Sequence, residues 1–155
     1  MSDKAKGWVL VTIQFTLLFI IIISSAYEFK LVNRPLFPLI HYIGVTLILI
    51  GTALFTVIII NFGQYMSPNP VPREKSALKI NGVYKFVRHP MYFTVLVLIL
   101  GVILYFQAFY SLVWLVIAFF FLVYKSTIEE SYLLKKFPEY SDYRASTKRI
   151  IPSIY

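Results

Sequence analysis

MYFTVLVLILGVILYFQAFYSLVWLVIAFFFLVY, residues 91–124, has Thr94, Gln107 and Ser111 as its only clearly polar interruptions. As one straight helix it would reach about 50 Å at ~1.5 Å per residue, whereas a bilayer's hydrocarbon core is about 30 Å thick. The run therefore has to turn back, and Gln107 to Ser111 mark the bend. The expectation is a tight helical hairpin with two rather short arms, residues 90–106 and 110–125.

The rest of the composition agrees with a membrane setting. The 155-residue chain is 59% hydrophobic, 18% aromatic and 14% charged, with a mean hydropathy of +0.74, and a soluble domain of this size could not hide so much apolar surface. Two further spans are predicted upstream, residues 8–26 and 39–60. The first ends in Ser24, Ser25, Ala26, which imitates a signal-peptide cleavage site, but its apolar run is longer than a signal core and it reads as a retained span. Glu28 to Pro38, with two prolines, reads as a short polar link. The predicted class is thus an all-α integral membrane protein, one domain over residues 1–155, with about four transmembrane helices, a C-terminal helical hairpin and an interfacial amphipathic tail.

Ser67, Pro68, Asn69, Pro70, Val71, Pro72 rule out regular helix, so residues 61–89 form a surface loop. In the tail, residues 126–155, Leu133, Leu134, Phe137, Tyr140 and Tyr143 are spaced like an amphipathic segment broken by Pro138, and Ile150, Ile151, Pro152 read as an extended end. Of the fifteen lysines and arginines, thirteen fall before the first span, in the long loop or from Lys125 onward, and two (Lys30, Arg34) fall in the first link. The positive-inside rule then predicts both termini, the loop and the tail in the cytoplasm, at the plasma membrane of a prokaryote or the endoplasmic reticulum of a eukaryote. The net charge of +8 follows from this asymmetry; with no basic run interleaved with a soluble fold, nucleic acid is not an expected partner. The absence of cysteine excludes disulfides, zinc thiolates and a cysteine nucleophile. No glycine-rich phosphate loop, dinucleotide fingerprint or hydrolase nucleophile elbow occurs.

Two polar features interrupt this apolar frame. The first is GVYKFVRHPMY, residues 82–92. Pro90 restricts His89 to extended backbone and suits the opening turn of a helix, so Arg88, His89 and the first free amides of that helix converge on a point suited to an anionic group. The second is Lys125, Glu129, Glu130, where the last span leaves the bilayer. Residue types alone allow a Lys125–Glu129 ion pair one turn apart, or a solvated helix end. The hairpin instead brings Glu129 beside His89 and Tyr92, where a carboxylate accepts hydrogen bonds from ribose hydroxyls or an ammonium group. One histidine with two glutamates makes a poor metal site, so no metal is expected. Tyr84, Phe86, Tyr92, Phe137, Tyr140 and Tyr143 are read mostly as an interfacial belt, and His41 as interfacial near the opposite face.

Gly82, Tyr84, then Val87, Arg88, His89, Pro90, Met91, Tyr92, followed by Glu129, Glu130, Leu133, Phe137, Tyr140, Tyr143 and a late Ile151, Pro152, resembles the isoprenylcysteine carboxyl methyltransferase and phospholipid N-methyltransferase superfamily. The likeness covers about half the chain, from Pro68 or Pro70 to Pro152, in two separated motifs that occur in order. It implies an integral membrane methyltransferase that takes S-adenosylmethionine from the cytosol and a lipophilic substrate from the bilayer. By position it implies cofactor contacts at Ser76, Ala77, Leu78, Lys79, Tyr84, Arg88, His89, Pro90, Met91, Tyr92 and Glu129, and catalytic roles for Lys125, Glu129 and Glu130. Two departures stand out. Thr94 replaces a common glycine, and Lys125 stands where the prenylcysteine enzymes carry a substrate-facing arginine, without that residue's bidentate fork.

Methyl transfer from a sulfonium gains mostly from positioning and from excluding water, and a carboxylate acceptor needs no proton removed. An amine acceptor must first be neutral, which would make Glu129 or Glu130 a base or an ammonium anchor. The acceptor, an isoprenylcysteine-like carboxylate or a lipid amine, stays open. Two other readings remain: an NADPH-dependent reductase of steroid or enone substrates, and a non-catalytic membrane protein whose basic loop and tail bind anionic headgroups.

Overall fold

The computed structural model describes residues 1–32, 37–63, 67–73 and 76–155. Arg34 and Lys75, which entered the charge count, and Pro35 of the first link lie outside the described residues. Among the described residues there are five α-helices and no strand: α1 Asp3–Val32, α2 Pro38–Phe62, α3 Pro90–Tyr105, α4 Leu112–Lys136 and α5 Tyr140–Ser146. Single 3-10 turns occupy Gly82–Lys85 and Phe109–Ser111.

Three of these elements are long and apolar enough to cross a membrane: α1, α2 and α4 with the turn before it. α3 is apolar but shorter. Only 17% of the most apolar window of α1 and of α2 is buried within the protein, and large side chains such as Phe19, Leu39, Ile60 and Phe120 point outward. Helices that are apolar on their outer surface have lipid as their solvent, and all their backbone polar groups are satisfied internally. The chain is an all-α integral membrane protein.

The bend falls among the polar residues that signalled it. α3 ends at Tyr105, and Gln107 takes a positive φ of 51°. The Gln107 side chain accepts from the Phe37 amide (3.1 Å) and donates to the Phe37 carbonyl (3.3 Å), tying the bend to the start of α2. His41 lies at the same end, its Nδ1 3.0 Å from the Tyr105 carbonyl. Glu28, expected in a polar link, instead continues α1. It is buried, and its carboxylate accepts from the amides of Tyr110 (3.0 Å) and Ser111 (2.9 Å) and from the Ser111 hydroxyl (2.9 Å). An acidic side chain placed at the free amides of a helix start explains why α1 runs past the apolar run to meet it.

α2 and α3 pack antiparallel with their backbones in contact: a Cβ at Gly44 would sit 2.3 Å from the Tyr105 amide nitrogen, a close approach typical of helices in lipid. α1 runs antiparallel to α4, through Glu28 and Ser111 at one end and Gln14 and Lys125 nearer the other. The tail then folds back. Val87 bridges Lys148, with the Arg88 amide donating to the Lys148 carbonyl (2.8 Å) and the His89 amide to that of Arg149 (2.9 Å). Ile150 is consequently buried in the core beside Tyr92 and Leu122. The expected extended end is a turn, because its apolar side chains close the core.

Candidate active site

The two polar features, residues 82–92 and Lys125, Glu129 and Glu130, meet toward the end of the bundle opposite the bend. His89 is held out of the helix as Pro90 requires, though at φ −121°, ψ 63° it is not fully extended, and Pro90 opens α3. The bridge to Lys148 and Arg149 fixes the approach to that helix start, so the His89 main chain is held on both sides. It stacks on Tyr92, with centroids 5.1 Å apart and planes 3° from parallel.

Two consecutive glutamates of α4 flank this ring. His89 Nε2 is 3.1 Å from Glu130 Oε1, and Nδ1 is 3.6 Å from Glu129 Oε2. Burial pulls the imidazole pKa down, but the hydrogen bonds the ring donates to Glu129 and Glu130 and the charges of those carboxylates outweigh it, so the net shift is upward from 6.5. The two carboxylates thus favour the protonated form of the His89 ring over the neutral one.

The glutamates differ in what else they meet. Glu130 is almost fully enclosed. Its Oε1 accepts from Arg88 Nε (2.9 Å), and its Oε2 lies 3.4 Å from Arg149 and 3.5 Å from Arg144. Arg88 also donates to the carbonyls of Arg144 and Thr147. Glu130 is therefore a hub joining α3, α4 and the tail. Glu129 accepts from the Tyr92 hydroxyl at 2.7 Å and lines an open cleft.

That cleft, about 620 Å³ with its mouth, is walled by loop residues between Ser67 and Arg73 and by Ser76–Lys79, by Tyr84 and Arg88, and by Glu129, Leu133, Phe137, Tyr140 and Tyr143. It brings together Ser76, Ala77, Leu78, Lys79, Tyr84, Arg88 and Glu129 of the predicted cofactor contacts. His89, Pro90, Met91 and Tyr92 stand outside its lining. Pro90 is buried, Met91 packs on the core, and His89 and Tyr92 support Glu129 from behind. The Thr94 hydroxyl is satisfied by the Met91 carbonyl at 2.8 Å. Lys125 is fully buried behind the Tyr92 ring, 5.5 Å from its centroid, and donates to Gln14 Oε1 of α1 at 2.5 Å. The Lys125–Glu129 pair that the helical spacing allowed is replaced by this contact. Among the described residues, no group of three or more His, Asp or Glu side chains forms a metal cluster.

Tyrosines read as an interfacial belt turn out to be cleft walls. Tyr84 is pushed up by burial and by the charge of Glu129, and Tyr143 is pushed up to about 12, chiefly by burial, so both remain hydrogen-bond donors. Tyr143 donates to the Tyr84 carbonyl at 2.6 Å. The hydroxyl of Tyr140 is buried without a hydrogen-bond partner. A buried phenol left unsatisfied is costly. Nothing in the sequence distinguished Tyr140 from a belt tyrosine; its orphaned hydroxyl is visible only in three dimensions.

A family model described as phospholipid methyltransferase matches residues 39–140 of the 155, from α2 through the cleft loop and the hairpin to Tyr140. The chain belongs to the phospholipid methyltransferase family. Membership makes it a membrane methyltransferase. None of the curated proteins matches the chain. Gln14 of α1 and Arg144 and Arg149 of the tail lie outside the part of the chain that the phospholipid methyltransferase model matches, yet they contact Lys125 and Glu130 inside it.

Proposed function

We propose that this member of the phospholipid methyltransferase family binds S-adenosylmethionine in the cleft beside Glu129 and transfers its methyl group to a lipophilic acceptor from the bilayer. The single observation that carries this reading is the convergence of Glu129, Tyr84 and the loop segment Ser76–Lys79 on one cleft. The donor set also fits a nucleoside-sulfonium ligand. Glu129 accepts from hydroxyl or ammonium groups, and Leu133 and Phe137 offer apolar surface to a base.

The cofactor, when bound, supplies a methyl group on a positively charged sulfur. The chain's own residues orient and enclose. Tyr92 and His89 hold the Glu129 carboxylate at a fixed place, and Glu130 with Arg88 holds the start of α3 against α4. A rigid first contact of this kind contributes to rate by positioning the reactants. A carboxylate acceptor requires no further group. With an amine acceptor, Glu129 is the residue placed to anchor the ammonium or take its proton. For the acceptor's hydrocarbon chain, α3 and α4 offer an outward groove of about 750 Å³ lined only by apolar side chains, among them Phe93, Leu100, Leu115, Phe119 and Ile151. The charge asymmetry favours a cytosolic cleft, where the soluble cofactor is available.

The test is calorimetric. Purified protein in detergent should bind S-adenosylhomocysteine, and Glu129→Ala and His89→Ala should each weaken that binding while remaining folded. Unchanged affinity in both variants would remove the site assignment.

A further inference from the structure

Asn69 and Pro70 form part of the cleft wall, and α1 holds them there. The Asn69 side chain donates to the Lys4 carbonyl at 3.0 Å and accepts from the Val71 amide at 3.0 Å, while the Asn69 amide donates to Ser67 Oγ at 3.2 Å. The turn is thus closed by the same side chain that docks it. On the far side, Lys136 of α4 donates to the Arg73 carbonyl and to Ser76 Oγ (2.9 Å), so the loop is strung between the two helices.

The docking on α1 is possible because residue 7 lacks a side chain. A Cβ there would lie 2.1 Å from Asn69 Oδ1 and 2.7 Å from its Cγ. Asn69 would have to withdraw, giving up Lys4 and Val71 together. Glycine inside a helix is less favourable than alanine, so its presence in α1 calls for a local reason, and the approach of Asn69 supplies one.

We propose that Gly7 is a positioning residue for the cofactor cleft: by admitting Asn69 it lets α1 set the wall formed by the loop at 67–73. This rests on the cofactor reading of the cleft given above. It assigns a role in that site to α1, a helix outside the family match at residues 39–140.

The test uses the full chain in detergent, with Gly7→Ala, Asn69→Gly and the double variant. Gly7→Ala should weaken S-adenosylhomocysteine binding and raise KM for S-adenosylmethionine about threefold to tenfold, the loss expected for roughly one hydrogen bond's net contribution. The kcat at saturating cofactor should stay as in the unsubstituted protein, which general destabilisation would not produce. Trypsin cleavage after Arg73 should accelerate as the loop lifts. In the Asn69→Gly background Gly7→Ala should add nothing further, because the clashing side chain is gone. Wild-type affinity and cleavage in Gly7→Ala, or fully additive effects of the two substitutions, would overturn the proposal. If the unsubstituted protein bound no S-adenosylhomocysteine, the cofactor reading and Gly7's role in it would fall together, while unaccelerated cleavage in Gly7→Ala alone would refute the docking itself.

Discussion

Tyr92 and Glu129, one near the start of α3 and the other near the end of α4, meet through a 2.7 Å hydrogen bond in which the phenol donates to Oε2. The bond fixes one side of a carboxylate whose residue also lines the cleft. Tyr92→Phe removes the donor and leaves the ring stacked on His89. A hydrogen bond to a charged group contributes about 1.5–3 kcal/mol, so S-adenosylhomocysteine should bind on the order of tenfold more weakly, in a protein whose circular dichroism is unchanged. Calorimetry on the variant checks this.

The two adjacent glutamates should fail differently. Glu130 is 2% exposed and faces Arg88, His89, Arg144 and Arg149. Glu130→Gln strands buried cations, and breaking such a pair costs about 3 kcal/mol or more. A lowered Tm in detergent is the expected result. Glu129→Gln leaves those cations neutralised by Glu130, so it should retain most of the Tm and lose cofactor affinity. Thermal unfolding of both variants, set beside their calorimetry, separates hub from ligand contact.

A pH dependence follows from His89. Folding raises its pKa above the ordinary 6.5 because two carboxylates outweigh its burial. The folded state therefore binds more protons than the unfolded state between 6.5 and the raised value. The stabilisation is fully present below 6.5 and is lost as pH rises through the folded pKa. Tm should fall with rising pH across that window, and His89→Gln should flatten the slope.

Much of this arrangement was legible in the sequence, for identifiable reasons. Gln107 and Ser111 interrupt an apolar run too long for one span, so the hairpin followed from length. The hairpin in turn put Glu129 beside His89. Other parts depended on partners far away in the chain. Glu28 looked like the edge of a link because its partners, the amides at Tyr110 and Ser111, are more than eighty residues distant. Lys125 carried the look of a free cation because Gln14, which accepts its hydrogen bond, is 111 residues away. Tyr84, Tyr140 and Tyr143 carried the composition of an interfacial belt, and only the return of the tail onto Arg88 turns them into walls.

Orientation is testable on its own. The chain has no cysteine, and Tyr110 at the bend is exposed. Tyr110→Cys should be labelled by an impermeant maleimide from outside intact cells, whereas Ser153→Cys in the tail should be labelled only after lysis. The reverse pattern would invert the proposed topology.

The central claim is methyl transfer from the cleft at Glu129 to a lipid-borne acceptor. The most direct measurement incubates the purified protein with S-adenosylmethionine carrying a tritiated methyl group and a membrane lipid extract, then counts the organic phase. The account predicts label in extracted lipid with the unsubstituted protein and its loss with Glu129→Ala. No transfer by the unsubstituted protein, or equal transfer by Glu129→Ala, would contradict it.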